Sequence, residues 1–421
     1  MSREMKYSGI PWIGDIPKGW KVCFIKQIMR NKSIKGYPDE MVLSLYRDYG
    51  VVPKNSRSDN HNVTSEDTSS YKFVEVGDFV INKMKAWQGS MAVSEFQGII
   101  SPAYYICRFT SNEVNKRYIH YLLRNDSYKT EYMRLSSGLR VGQWDLNIDD
   151  FLRIKMVLPS LEEQQKIASF LDRKCAEVDE MIALQEKIVE ELKAYKHSVI
   201  TEAVTKGLNP DAPMRDSGIE WIGQIPEHWE VKRLKNIFRL KTGTTPDGFD
   251  IVNEDSEIIP WFTPSDISDD CCELHQSERK LYKSEVGEIE LFPKGSLMFV
   301  GIGASAGKLG YSHISGYSNQ QITALIPDNC NGKYYYYFLI ADRKRLRDNA
   351  FFTTLPIINN GYLSQNKVVY PPTTEQQAIA DYLDEKCGEI DNLISIKLSK
   401  IDSLKEYKKS IIYEYVTGKK K

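Results

Sequence analysis

One phrase is written twice in this chain. "SGIPWIGDIPKGW" begins at Ser8 and "SGIEWIGQIPEHW" at Ser217, so Trp12 corresponds to Trp221 at an offset of 221 − 12 = 209. A second phrase behaves alike. "LPSLEEQQKIASFLDRKCAEVDEMI" runs from Leu158 and "YPPTTEQQAIADYLDEKCGEIDNLI" from Tyr370, and Glu163 corresponds to Glu375 at 375 − 163 = 212. Two nearly equal offsets mean one duplication of about half the chain, far longer than the ~20–50-residue periods of solenoids. The 421 residues exceed one ordinary core. The chain must therefore build two like units, each with the Trp/Gly/Pro phrase in front and the Glu-Gln-Gln phrase behind.

The second phrase opens a helix. Pro159 precedes it, and Glu162 and Glu163 fall in its first turn, where the macrodipole favours carboxylates. The spacing predicts a helix from Ser160 or Leu161 to about Thr205, before Gly207 and Pro210, and a second from Thr373 or Thr374 to near Gly418. At 1.5 Å per residue each spans roughly 65 Å. Steps of four and three pick out Leu171, Cys175, Val178, Ile182, Gln185, Val189, Leu192, Lys196 and Val199 in the first. They pick out Leu383, Cys387, Ile390, Ile394, Lys397, Ile401, Leu404, Lys408 and Ile411 in the second. This is a coiled-coil seam over about four heptads. Gln185/Lys397 and Lys196/Lys408 are polar at matching positions, which weakens a seam but sets its register. Alone, each helix leaves an apolar stripe in water. Pairing the two antiparallel covers both stripes and gives a pseudo-two-fold object.

The stretches between barely resemble each other. "VGDFVINKMKAWQGSMAVSEFQGIISPAYYIC" and "KGSLMFVGIGASAGKLGYSHISGYSNQQITALIP" are short apolar or alternating runs cut by Gly, Pro, Asn and Ser, which reads as compact, mostly β structure. One amphipathic helix follows each, "KRYIHYLLRN" and "KYYYYFLIADRKRL"; the tyrosine stripe reads as packing rather than as a base-stacking platform. The predicted class is α+β: two mostly β domains, 1–158 and 208–370, joined by long helices in 159–207 and 371–421. A constant frame around unlike middles suits a scaffold that presents two separately tuned surfaces. Trp12, Trp20, Trp221 and Trp229 read as packing anchors.

The search for chemistry is mostly negative. The start lacks an apolar signal core, and no run of 18 apolar residues occurs. Seven cysteines without a CxxC pair point to a reducing cytoplasm, with Cys271 and Cys272 plain thiols. The six histidines lack metal spacing, so no metal site is expected. In "GIGASAGKLG" the glycine spacing is one residue too long for a P-loop, and Leu309 stands where Ser or Thr is needed. "SPAY" lacks the second proline of an adenine-methylase motif, and no GxSxG or HExxH occurs. No catalytic residue is expected. A net charge of −1 argues against a chain that grips DNA alone through a broad cationic face, since phosphate neutralisation needs many Lys and Arg.

The Trp-Ile-Gly-x-Ile-Pro-x-x-Trp phrases (Trp12 to Trp20, Trp221 to Trp229) resemble those of specificity (S) subunits of type I restriction–modification enzymes. So do the Pro-x-x-x-Glu-Gln-x-x-Ile-x-x-x-Leu-Asp phrases, carried by Pro159, Glu163, Gln164, Ile167, Leu171 and Asp172, and by Pro371, Glu375, Gln376, Ile379, Leu383 and Asp384. The resemblance covers essentially the whole chain. It implies two target-recognition domains joined by antiparallel helices. It implies that each domain reads one half of a bipartite asymmetric site in double-stranded DNA and that the helices measure the unread gap. It implies partners: two modification subunits, which bring S-adenosylmethionine and methylate adenine, and restriction subunits, which bring ATP- and Mg²⁺-dependent translocation and cleavage. The other reading is a tandem coiled-coil scaffold that binds proteins without reading DNA.

Base edges are read by Arg, Lys, Asn and Gln on loops that enter the major groove. In the first domain Lys83, Lys85 and Gln88, and Arg140 and Gln143 in "SSGLRVGQW", are the candidates. In the second they are Lys308, Asn319 and Gln320, with Thr353, Thr354, Asn359 and Asn360 in "FFTTLPIINNGY".

Overall fold

The computed structural model describes residues 3–56, 67–138, 144–245, 258–269, 272–282, 289–349, 351–352 (backbone only) and 356–420. It divides into two units, Met1–Glu186 with Leu398–Lys421, and Lys187–Lys397. The division cuts both long helices, Leu161–Lys206 and Thr373–Val416, so each unit takes half of each. The helix bounds fall within two residues of those read from the sequence.

Within each unit the helix halves run antiparallel. In the first, Phe170 stacks on Tyr415 at 4.3 Å, and Asp179 accepts from Lys408 Nζ at 2.6 Å; as one position rises its partner falls. In the second, Lys196 Nζ donates to Asp391 at 2.6 Å. There the end of the first helix (Ile200, Ala203, Val204) shares a core with the start of the second (Ile379, Ala380, Leu383, Cys387). Leu171, Cys175, Val178, Val189, Leu383, Cys387, Ile390, Ile401, Leu404 and Ile411 are buried, and Ile182, Leu192 and Ile394 are half-buried. The polar seam residues Lys196 and Lys408 carry matching ion pairs, and 391 − 179 = 212 repeats the duplication offset.

Among the described residues, the largest sheet of the first unit has four strands and that of the second has five. In the first, strands β1 (Met29–Lys32), β2 (Phe79–Asn82), β3 (Met91–Val93) and β4 (Tyr104–Phe109) pair antiparallel in the order β1-β4-β2-β3. Helix α1 (Lys116–Arg124) follows, and the first long helix is α2. In the second, β5 (Phe238–Thr242), β6 (Cys272–Leu274), β7 (Leu297–Val300), β8 (Leu309–Ser312) and β9 (Ile322–Pro327) pair in the order β5-β9-β7-β8-β6. Only the β6–β8 pair in that sheet is parallel. Helix α3 (Gly332–Asp348) follows, and the second long helix is α4. Central strands are buried on both faces. Phe79 and Ile81 join the helix-side core while Val80 joins the other, and Leu297 and Phe299 are set against Met298 and Val300 in the same way. Period-2 alternation produces that split.

The duplicated residues make one joint in both units. Each Trp/Gly/Pro phrase is a small hairpin, Met5–Tyr7 on Asp15–Pro17 and Met214–Asp216 on Gln224–Pro226. The strand after it, Lys21–Phe24 or Glu230–Arg233, pairs with the strand that leads into the long helix, Lys155–Leu158 or Lys367–Tyr370. The phrase therefore lies beside the helix start. Trp20 Nε1 donates to Glu163 at 3.0 Å, and Trp229 Nε1 to Glu375 at 2.9 Å. Both indoles are buried. The next residue, Gln164 or Gln376, is fully buried and accepts from the backbone N–H of Asn115 or Asn331, each at 2.8 Å. Those two asparagines are the N-caps of α1 and α3. One turn on, Tyr118 donates to Val416 O at 3.0 Å and Tyr334 to Val204 O at 2.8 Å. Carbonyls in the last turn of a helix have no partner within it, and the tyrosines supply one. Gly207 and Gly418 end the helices at φ of +76° and +73°, where an added Cβ would meet Trp229 and Trp20. The tyrosine stripe is core: Tyr334, Tyr335 and Tyr336 are fully buried.

Candidate nucleic-acid interface

The described candidates lie on or beside the connections between sheet strands, and these connections correspond between units. The hairpin between β2 and β3 closes with Asn82 N to Ser90 O at 3.0 Å; that between β7 and β8 closes with Val300 N to Lys308 O at 2.8 Å. The offsets agree, 300 − 82 = 218 and 308 − 90 = 218. Gly89 and Gly307 both take positive φ, +80° and +87°. The loop before the last strand keeps the same offset, 319 − 101 = 218. Ser101 Oγ accepts from Ala103 N at 3.4 Å, and Asn319 Oδ1 from Gln321 N at 3.1 Å. Ala103 O accepts from Lys83 N at 3.4 Å and Gln321 O from Gly301 N at 2.8 Å, which docks each loop on its hairpin. A third segment completes each cluster: Leu146 N donates to Lys83 O at 3.1 Å, and Ile358 N to Gly301 O at 2.8 Å.

On this common frame the side chains differ. The first hairpin presents Lys83, Met84 and Lys85; the second presents Gly301, Ile302 and Gly303. Met84 and Ile302 hold the same position and are 43% and 38% exposed. Lys83 lies 3.5 Å from Asp145, Lys85 is exposed, and Gln88 is half-buried beside the Trp87–Trp144 pair. Sequence reading missed Lys35 and Lys72. Lys72 donates to Tyr104 O at 2.6 Å, and its ammonium is pushed below the usual lysine range by burial, then by Lys83 and Lys35. Lys83 and Lys35 both act on the Lys72 charge, so the three form a local cationic patch. The signal was weak because Lys35 and Lys72 are far apart in sequence, and only the tertiary contact Phe73 N to Ile34 O, at 2.8 Å, brings their segments together.

In the second unit Gln320 is exposed and accepts from Thr245 Oγ1. Asn360 bridges β5 and β9, accepting from Thr323 Oγ1 at 2.6 Å and donating to Thr242 Oγ1 at 2.8 Å. Asn359 caps the helix Asn360–Gln365 by accepting from Tyr362 N, as Asn147 caps Ile148–Leu152 in the first unit. Asn319 is held by Gln321. Lys308 turns to Asp269 at 3.3 Å, which also accepts from Arg343 at 2.8 Å. Those cations hold the Asp269 carboxyl below its usual range, with the Arg343 hydrogen bond the largest cause. Arg140, Gln143, Thr353 and Thr354 lie outside the described residues. The strands flanking them, Ser136–Ser137 with Asp145–Leu146 and Phe351–Phe352 with Pro356–Ile357, pair as matching hairpins.

Fold and loops together define an internally duplicated, helix-framed protein with two unlike polar recognition surfaces. The family model described as type I restriction modification DNA specificity domain matches twice, over residues 17–194 and 226–406, and the chain belongs to that family. It is similar to the type I restriction enzyme MjaVIII specificity subunit of Methanocaldococcus jannaschii, at 26% identity over 96% of this chain and 93% of that protein. Among solved structures, a chain from work on complex assembly and conformational transition of the type I R-M system matches with TM-score 0.74 and 16% identity. The match covers 95% of this chain and 98% of that one. The HsdS subunit from Thermoanaerobacter tengcongensis matches with TM-score 0.54 and 16% identity, over 96% and 98%. At such identity these two likenesses show the fold alone. Among the described residues, no helix is long and apolar enough to cross a membrane.

Proposed function

We propose that this chain is the DNA-specificity component of a type I restriction–modification enzyme, recognising DNA for catalytic partners rather than catalysing itself. Each unit reads one half of a bipartite asymmetric site, and the paired helices fix the gap. The observation that carries this reading is the pair of corresponding loop clusters, held by the same joint yet armed with different side chains. Residues 1–158 and 208–370 are the recognition domains; 159–207 and 371–421 are the spacer helices. Lys83, Lys85, Gln88, Arg140 and Gln143 face one half-site. Lys308, Gln320, Thr353 and Thr354 face the other, on loops that Asn319, Asn359 and Asn360 shape.

The partners are two modification subunits, which hold S-adenosylmethionine and methylate adenine, and restriction subunits, which use ATP and Mg²⁺, all in the cytoplasm. Repetition on the helices supports two copies. Met181, Leu184 and Tyr407 are exposed apolar residues of the first unit, and Leu393, Ile396 and Tyr195 their counterparts at offset 212 in the second. Apolar side chains displayed outside a satisfied seam are suited to cover by a partner helix. The test is the methylated sequence produced by the assembled enzyme. Replacing Asn82–Ser90 by the corresponding segment of another specificity subunit should change one half of the motif and leave the other half and the gap intact. A motif changed in both halves, or in neither, defeats the assignment.

A further inference from the structure

We infer that the second unit carries a transition-metal site made by Glu273, His275 and His313. The histidines are 38 positions apart (313 − 275), and their sequence spacing signals no metal site; strand register assembles one. Edge strand β6 runs parallel to β8 with Glu273 opposite Tyr311 and Leu274 opposite Ser312, and His313 N continues the ladder to Leu274 O at 2.9 Å. Alternation sends Cys272 and Leu274 into the core and leaves Glu273 and His275 on the other face. It does the same for His313 beside them. The two imidazoles stack with centroids 4.3 Å apart and planes 9° from parallel. Both aim Nε2 at one atom: Glu273 Oε2 lies 3.0 Å from His313 and 3.7 Å from His275. One ligand atom from each of the three lies within 4.8 Å of the others.

The carboxylate is held in place. Lys333, on α3 and only 10% exposed in its side chain, bonds Glu273 Oε1 and is itself anchored by Asp384 at 3.2 Å. This leaves Oε2 to the imidazoles, an outer-shell arrangement of the kind that orients metal ligands. Two nitrogens and one oxygen, without thiolate, suit Zn²⁺, Ni²⁺, Co²⁺ or Cu²⁺ over Mg²⁺ and Ca²⁺. Three protein ligands leave a position for water. The Lys333 ammonium beside the carboxylate weakens the site relative to a closed structural centre. A bound ion clamps edge strand β6 to β8.

The experiment uses the full-length, tag-free chain, freed of metal by chelator and titrated calorimetrically with Zn²⁺ alone. One equivalent should bind, and Mg²⁺ should not compete. His275→Gln and His313→Gln should each weaken binding by roughly tenfold or more, and Zn²⁺ should raise the thermal midpoint of the wild-type chain but not of these variants. His275 is 66% exposed in its side chain, so its replacement spares the fold. His197→Gln, in the same unit, should bind Zn²⁺ as wild type. Absence of a bound equivalent, or unchanged binding in both ligand variants, overturns the inference.

Discussion

The two units share a joint and differ in what they hold out from it. Trp20 and Trp229, Gln164 and Gln376, Tyr118 and Tyr334, Gly418 and Gly207 repeat the same contacts with the long helices. Asp172 and Asp384 accept from Tyr121 and Tyr337 in the same way, at 2.7 and 2.6 Å. Away from the joint the loop backbone still corresponds, but the side chains and charges do not. A cleft of ≈ 610 Å³ between α3 and the helices carries Lys193, Lys196, Arg343, Lys344 and Arg347 against Asp269, Asp348 and Asp391, a balance of 5 − 3 = +2. The corresponding cleft of ≈ 620 Å³ beside α1 carries Arg117, Arg124, Lys408 and Lys409 against Asp48, Glu95, Asp126, Asp172 and Asp179, 4 − 5 = −1. The lesson is that duplication preserves the attachment of a recognition unit to its helices, while charge and loop chemistry drift freely.

The severest test of that likeness is the joint itself. Trp20→Ala and Trp229→Ala each remove a buried indole and its hydrogen bond to a glutamate, which Arg3 or His228 still holds. Each should cost about 3–5 kcal/mol, measured by denaturant unfolding, with hydrogen exchange showing the loss in its own unit. Unequal losses, differing by more than about 1.5 kcal/mol, would break the equivalence. The helix ion pairs sharpen it. The Lys196 side chain is 9% exposed and Lys408 30%, while Asp391 and Asp179 are about half exposed. Lys196→Met should cost roughly 1–2 kcal/mol and Lys408→Met under about 1 kcal/mol, since the abandoned carboxylates reach water. The same denaturant curves read both; a larger loss for Lys408 would reverse the ranking drawn from burial.

Acid separates the units further. His120 of α1 is buried, where the second unit has Tyr336 (offset 216). Burial, then Arg124 and Arg117, holds the His120 pKa well below its ordinary 6.5. The folded unit therefore resists a proton that the unfolded chain accepts. Above pH 6.5 there is no penalty; as pH falls below it, stability drops by at most about 1.4 kcal/mol per pH unit. Thermal unfolding at pH 7.5 and 5.5 should show the first unit falling more than the second. His120→Gln should flatten that dependence, and an unchanged slope would remove His120 as its source.

Much of the fold was legible because the frame is written twice. Repetition located the helices, and four/three spacing found seam residues such as Leu171 and Leu383 that are buried. The joint was half legible. Trp20 and Glu163 were both singled out, but 143 residues separate them, and only the pairing of Lys21–Phe24 with Lys155–Leu158 brings them together. The loop surface was legible as loops. Individual roles were not, because an asparagine that caps a helix, such as Asn359, looks in sequence like one that could reach a base. The correspondence of Lys83–Met84–Lys85 with Gly301–Ile302–Gly303 was invisible, since backbone register carries it and side chains do not.

That correspondence yields the smallest and most asymmetric effect. If Lys85 neutralises a phosphate, Lys85→Gly should lower the slope of log K against log salt by about 0.9 while leaving the methylated motif unchanged. If it reads a base, the motif relaxes at one position by about 1–3 kcal/mol instead. The reverse graft is closed. Gly303 sits at φ +102°, and a Cβ on Gly301 would lie 3.0 Å from Ile358 O. Gly303→Lys should therefore destabilise the second unit by about 1 kcal/mol or more rather than add a phosphate contact. The first hairpin can give up its lysines, but the second cannot take them. On the function proposed above, the second half-site falls to the Gln320 loop and its neighbours, around a turn whose glycines carry no side chain.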